Sequence, residues 1–364
     1  MGEGLGSWLA SLAELLGRSL ARVLVYPFDP DERIFWGYLL SSWLLAGGVW
    51  AASLRGGAAA PGLRGFLRFC FPPEVWRHPS AWLDVRYFFL HQMLRVWIYG
   101  AFATGVALAS ADGVAAALRA LIGEPAASAP PLGLAGRAAI ALFAIAAVDF
   151  AGFLAHWAQH RVPLLWDFHK VHHSARVMHP LSNYREHWVD NLLYAIVHGA
   201  TAGAATSLAA GLLGRTAAPL EVLGTNAFVF VFNAAGYNLR HSHVWLAWPG
   251  WLGWVLGSPA YHQIHHSTDP RHLDRNFAFM FPVWDRLFGC AYLPREREAL
   301  RFGLAGGGEE EYRSVLRLWF LPFAEILRRE LSSGLPTGGP ACDCGRPSRC
   351  SPAGSCSRAA RPAS

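Results

Sequence analysis

The sequence predicts an all-α integral membrane bundle with a histidine-rich cap on its cytoplasmic side, on three observations. Hydrophobic residues make up 53% of the 364-residue chain and charged residues only 15%, too few for an ordinary soluble surface. Five apolar runs approach the roughly 20 residues that a helix needs to cross a bilayer core of about 30 Å. Of the 16 histidines, all but His78 and His91 fall between His156 and His272.

The five runs are Ile34 to Ala52, Tyr87 to Ala109, Ala138 to Trp157, Leu192 to Leu213 and Leu220 to Tyr237. The second and third contain Arg95 and Asp149, and charges inside a span usually face a protein interior or a polar site. The 16 tryptophans suit the bilayer interface. Before the first run, residues 1–33 carry Glu3, Glu14, Arg18 and Arg22 between short apolar stretches. That pattern predicts an amphipathic helix on the membrane surface and no cleaved signal peptide.

The remaining segments are an amino-terminal transmembrane region (34–137), a catalytic domain (138–294), a carboxy-terminal amphipathic segment (295–331) and a tail (332–364). The tail is rich in Gly, Pro and Ser, holds Cys342, Cys344, Cys350 and Cys356, and is expected to be disordered. The net charge of +6 comes from arginine, since Lys170 is the only lysine, and scattered arginines at the ends of apolar runs point to membrane anchoring and away from nucleic acid.

Arginine counting orients the bundle. The connection Ser53 to Arg86 holds Arg55, Arg64, Arg68, Arg77 and Arg86, whereas Ser110 to Arg137 holds only Arg119 and Arg137. By the positive-inside rule the first connection is cytoplasmic. Threading five spans from there brings every histidine cluster to the cytoplasmic face and puts the amino terminus on the opposite one.

Three patterns carry the chemistry: HWAQH at His156 and His160, HKVHH at His169, His172 and His173, and HQIHH at His262, His265 and His266. Residues at i, i+3 and i+4 lie together on a helix, so each pattern aims two or three imidazoles at one place. Random placement of 16 histidines gives one HxxHH about 0.03 times in such a chain, and here there are two. Buried imidazoles need partners, and a metal supplies them. Eight nitrogens exceed what one ion takes, so at least two ions are expected. Imidazole alone does not choose among iron, zinc, copper and nickel. The lone His78, His91 and His198 read as ordinary polar residues.

With NLRHSHVWL before the third cluster and SPAYHQIHHSTDPRHLDRNF followed by VWDRLFG after its start, residues Ala138 to Pro294 resemble the fatty acid hydroxylase and sterol desaturase superfamily, bacterial type. The resemblance implies that the eight motif histidines bind two iron ions in a non-haem diiron centre. It also implies O2 as co-substrate, a lipid substrate (sterol, fatty acyl or related) that is hydroxylated or desaturated, and electrons from an NAD(P)H-dependent reductase through a small redox carrier. No catalytic residue beyond the metal centre is expected. One of His241 and His243 is the expected ninth ligand. His187, in NYREHW, falls near a family arginine-and-histidine motif, although Trp188 stands where proline is common.

Asp149 lies two helical turns before His156 and is expected to accept a histidine N–H. Asp274, Asn276 and Asp285, close behind the third cluster, are expected to do the same. The protein is expected in the inner, cytoplasmic membrane. The rivals are a zinc hydrolase, for which the clusters lack a neighbouring carboxylate, and a haem- or metal-binding membrane electron carrier or transporter, for which histidines should face each other at membrane depth.

Overall fold

The computed structural model describes residues 2–95, 101–123, 132–213, 220–223 and 225–333. The predicted tail therefore lies almost wholly outside the described residues. Residues 1–326 form one compact unit, and the last helix runs on past it.

The chain opens with helix α1 (Gly2–Val25). Leu16, Leu20 and Leu24 are exposed along one face, while Val23 packs with Tyr26, Phe88 and Tyr184. Next come α2 (Trp36–Arg55), α3 (Gly62–Cys70), α4 (Pro73–Trp76) and α5 (Pro79–Arg95). Then follow α6 (Ala101–Ile122), α7 (Leu134–Arg161), α8 (Pro163–His173) and α9 (Trp188–Leu213). Among the described residues, four helices are long and apolar enough to cross a bilayer: α2, α6 over Thr104–Ile122, α7, and α9 over Trp188–Ala209. The chain is a multi-pass membrane protein.

Three details differ from the sequence reading. The second run does not end at Ala109: helix continues to Ile122, because an alanine-rich stretch keeps its helical propensity through Asp112 and Gly113. The side chain of Arg95 lies outside the described residues. The fifth run, Leu220 to Tyr237, is not a span. Strands β1 (Glu221–Val222) and β2 (Thr225–Asn226) form a two-residue antiparallel ladder. Asn226 Oδ1 then accepts from the backbone N–H groups of Phe228 and Val229, starting the eight-residue helix α10 (Ala227–Ala234). Eight residues rise only about 12 Å, far short of a bilayer core.

The third difference concerns α2. Its middle packs on the cap: Ala46, with Leu45 and Val49, meets Leu239 and Val244, which flank His241. Arg33, just ahead of it, pairs with Glu186 at 2.7 Å. The helix thus touches the histidine cap while remaining a candidate span, and the threading through five spans fails because the fifth run does not cross.

Helices α6 and α9 cross with backbones in close approach. A Cβ on Gly199 would fall 2.4 Å from the Ala107 carbonyl oxygen, and one on Gly203 would fall 2.2 Å from that of Ala111. Small residues four apart allow this packing where lipid offers no hydrophobic drive. Three short helices, α11 (Leu252–Val255), α12 (Pro259–His265) and α13 (Val283–Leu287), precede the 19-residue α14 (Val315–Ser333).

Candidate metal centre

Chain breaks aim the histidine helices at one another. Helix α7 ends at Val162, whose extended backbone is what a residue before proline adopts, and Pro163 opens α8 at its first turn. The chain reverses there, so His156 and His160 at the end of α7 meet the imidazoles of α8. Helix α12 starts at Pro259, with Ser258 Oγ accepting from the Tyr261 N–H at 3.1 Å. His241 comes from the loop after Gly236, whose φ of 93° suits glycine and turns the chain back toward α12. Gln263, the glutamine of HQIHH, donates to the carbonyls of Leu239 and Val244, both at 2.9 Å, and clamps the His241 loop onto α12.

Nine histidines fall into two groups: His156, His160, His169, His173 and His265 in one, His172, His241, His262 and His266 in the other. Within each group the potential ligand atoms all lie within 4.8 Å of one another. The two HxxHH motifs contribute reciprocally. His169 and His173 enter the first group and His172 the second; His262 and His266 enter the second and His265 the first. A helix turns about 100° per residue, so i and i+4 nearly eclipse while i+3 points aside. Each motif therefore bridges both groups, and the rings of His173 and His266 stack with centroids 4.4 Å apart at the seam.

One ring nitrogen is fixed in several cases, leaving the other as a lone-pair donor. His156 Nδ1 donates to the Phe277 carbonyl at 2.7 Å and His265 Nδ1 to that of Arg275 at 2.8 Å. His169 Nδ1 faces Asp190 Oδ2 at 3.4 Å, and His241 Nδ1 faces Ser182 Oγ at 3.0 Å. Nε2 of His160, His169, His173 and His265 and Nδ1 of His172 are buried without a hydrogen-bond partner. Leaving one such atom unpaired costs about 1–3 kcal/mol, so the four that converge within the first group point to a missing partner that is a cation. Burial first, and then neighbouring charged groups, hold His172, His173, His241, His262 and His266 well below the ordinary imidazole range, and burial pushes His265 down to about 3. They are neutral at physiological pH, the form that ligates metals.

Two cavities reach the groups from different sides. One of about 420 Å3 touches His156, His169, His172 and His262, and runs past Ile145, Val148 and Phe279. The other, about 250 Å3, touches His160, His173, His265 and His266 and is rimmed by Asp274 and Gly303. A larger apolar cavity of about 610 Å3 reaches His243 but none of the nine grouped histidines.

Several expected residues sit elsewhere. His243 joins neither group; its Nε2 donates to the Phe69 carbonyl at 2.6 Å, because the turn at Ser242 sends residues 241 and 243 to different sides. Asp149 touches no imidazole: it accepts from the N–H groups of Met280 and Phe281 and from Trp284 Nε1 at 2.8–3.0 Å. It thereby fixes the loop behind His156. His187 Nε2 donates to the Trp319 carbonyl, away from both groups. Asp274 pairs with Arg161 at 3.6 Å, and Asn276 ties Tyr261 to Tyr292 through backbone contacts. Asp285 acts on the loop at Phe277 instead of on a ring. Among the described residues, the carboxylate that faces a grouped imidazole, Asp190, carries no spacing signal, since its partner lies a loop away.

The fatty acid hydroxylase family model matches residues 141–290. Alkylglycerol monooxygenase of Xenopus tropicalis is 26% identical over 157 residues, 43% of this chain and 31% of the relative. Ornithine lipid hydroxylase OlsE of Rhizobium tropici is 25% identical over 192 residues, 52% and 51%. Human (Homo sapiens) cholesterol 25-hydroxylase is 32% identical over 153 residues, 41% and 49%. The matches thus span from about a third to a half of these relatives' lengths, and no solved structure matches the chain. Residues 141–290 contain all nine grouped histidines, so the part of the chain that carries the site is the part similar to fatty acid hydroxylases.

Proposed function

We propose that the protein is a membrane-bound diiron oxidoreductase that uses O2 to hydroxylate or desaturate a lipid, with the nine grouped histidines as ligands. The observation that carries this reading is the division of buried, neutral imidazoles into adjoining groups of five and four. Within the group of four, His241 Nε2 and His266 Nε2 lie 3.0 and 3.1 Å from His262 Nε2, close enough for all three to turn toward one ion. The grouping also disfavours the haem reading, which needs single imidazoles facing each other across a gap.

Such an ion pair, when bound, supplies the redox chemistry that activates O2. The chain's own residues hold it and shape its surroundings. Phe277, Arg275 and Asp190 fix ring tautomers, and the apolar wall of Ile145, Val148 and Phe279 guides a lipid toward His156 and His262 while excluding water. The relatives named above act on lipids, consistent with that wall. The opposite cavity, at His160 and His173, suits electron entry from a small carrier and an NAD(P)H-dependent reductase.

The reading also places the histidines on the cytoplasmic face of the inner membrane. Arg64, Arg68, Arg77 and Arg86 fall between α2 and α6, in segments tied to the cap through Phe69 and Ser80. Reporters fused after Arg161 and after Leu213 are expected to report opposite sides; agreement between them would remove α9 as a span. The function itself is tested by anaerobic iron reconstitution followed by lipid turnover under O2. Close to two irons per chain and O2-dependent oxidation of an added lipid extract are expected. Turnover that persists without O2, or protein that holds no more than one ion, defeats the proposal.

A further inference from the structure

Taking the 420 Å3 cavity as the lipid site, as the proposed function does, Arg240 on its wall is the group without a counterpart. Arg240 is only 3% exposed. Its Nη2 meets His262 Nδ1 at 2.9 Å, and its guanidinium lies over the rings of Tyr237 and Phe232, 5.2 and 5.6 Å from their centroids. Its Nη1 has no hydrogen-bond partner, and among the described residues it forms no ion pair within 4.0 Å.

The cavity's carboxylates are already engaged. Glu186 holds Arg33, Asp190 faces His169, Asp149 takes three donors, and Asp31 accepts from Thr225 Oγ1 at 2.6 Å. A buried guanidinium with a free donor and no anion is costly to leave so, and two oxygens of one acid match its planar fork.

We propose that Arg240 anchors the headgroup of the lipid substrate, and that this headgroup presents an oxyanion, a carboxylate or a phosphate. The anchoring also sets where the lipid is oxidised. Nη1 and the nitrogen touching His262 belong to one guanidinium, so the carbons within a few bonds of the headgroup are the ones that lie against the histidine groups. The distal chain is left to follow the apolar wall toward Ile145.

The test is equilibrium binding to the full chain in nanodiscs, stripped of metal with a chelator, so that no ion can attract the anion. Radiolabelled myristate, 1-myristoyl lysophosphatidate and uncharged methyl myristate share one acyl chain. At least one of the two anions is expected to bind ten times more tightly than the ester, and which one does so names the headgroup. Arg240→Gln keeps an N–H near His262 but removes the charge, and should bring the anion to within threefold of the ester. Arg240→Lys should retain part of the preference. Arg33→Gln should retain all of it, since that guanidinium already has Glu186.

An equal affinity for ester and anions in the parent protein overturns the anchor, as does a preference that survives in Arg240→Gln or disappears in Arg33→Gln. The parent and Arg240→Lys arms decide the matter even if Arg240→Gln fails to fold. The two readings fail separately: anion preference in a chain that loads no metal sinks the oxygenase, whereas two irons and O2-dependent lipid oxidation without anion preference sink the anchor.

Discussion

His241→Ala is expected to reduce bound metal from about two ions per chain to about one and to lower lipid turnover at least about 100-fold. The group of four holds His172, His241, His262 and His266, and losing one leaves three nitrogens, of which His262 and His266 come from a single helix turn. His160→Ala acts on the group of five, which keeps four nitrogens, so metal content should stay nearer two while turnover still falls. The contrast distinguishes two unequal sites from one diffuse cluster. His243→Ala is the control, because that ring donates to the Phe69 carbonyl and belongs to neither group. Elemental analysis beside an O2-uptake assay reads all three. Parental turnover in His241→Ala, or an ion lost in His243→Ala, would refute the assignment.

The sequence carried the site further than the fold. Histidines three and four apart announce themselves because helical periodicity is local; the six of the two HxxHH patterns were legible from spacing, and His156 and His160 only from lying next to the second pattern. The ninth was legible only as a pair, since the choice of His241 over His243 depends on the Gln263 clamp and the turn at Ser242. Span counting failed where hydropathy is ambiguous. Leu220 to Tyr237 is as apolar as a crossing helix, yet strands and a cap at Asn226 break it. Supporting carboxylates were the least legible. Asp149 was expected on a histidine ring and instead holds backbone N–H groups, while Asp190 and Arg240 act across loops of more than a dozen residues, with no periodic mark.

Asp285→Asn is expected to destabilise the whole cap although it changes one atom and touches no grouped histidine. Asp285 is fully buried. One of its oxygens accepts from the Phe277 N–H at 2.7 Å and the Cys290 thiol at 3.1 Å; the other accepts from the Ala278 N–H at 2.8 Å and the Tyr261 hydroxyl at 2.7 Å. All four are donors. An amide offers one acceptor and turns its NH2 on the remaining pair; the hydroxyl or thiol there can turn round and accept, but either orientation leaves one backbone N–H and one amide hydrogen as buried donors facing each other. At about 1–3 kcal/mol for each unpaired donor the loss is about 2–6 kcal/mol, and an unfolding midpoint at least about 5 °C lower is expected by tryptophan fluorescence in detergent. Phe277 also supplies the carbonyl that orients His156, and Tyr261 lies on α12 beside His262, so metal affinity should fall with stability. Asp274→Asn is the matched comparison: its carboxylate is half exposed and paired only with Arg161, and an exposed ion pair is worth no more than about 1 kcal/mol. If the two variants melt together at the parental temperature, Asp285 is not what holds the histidine loop in place.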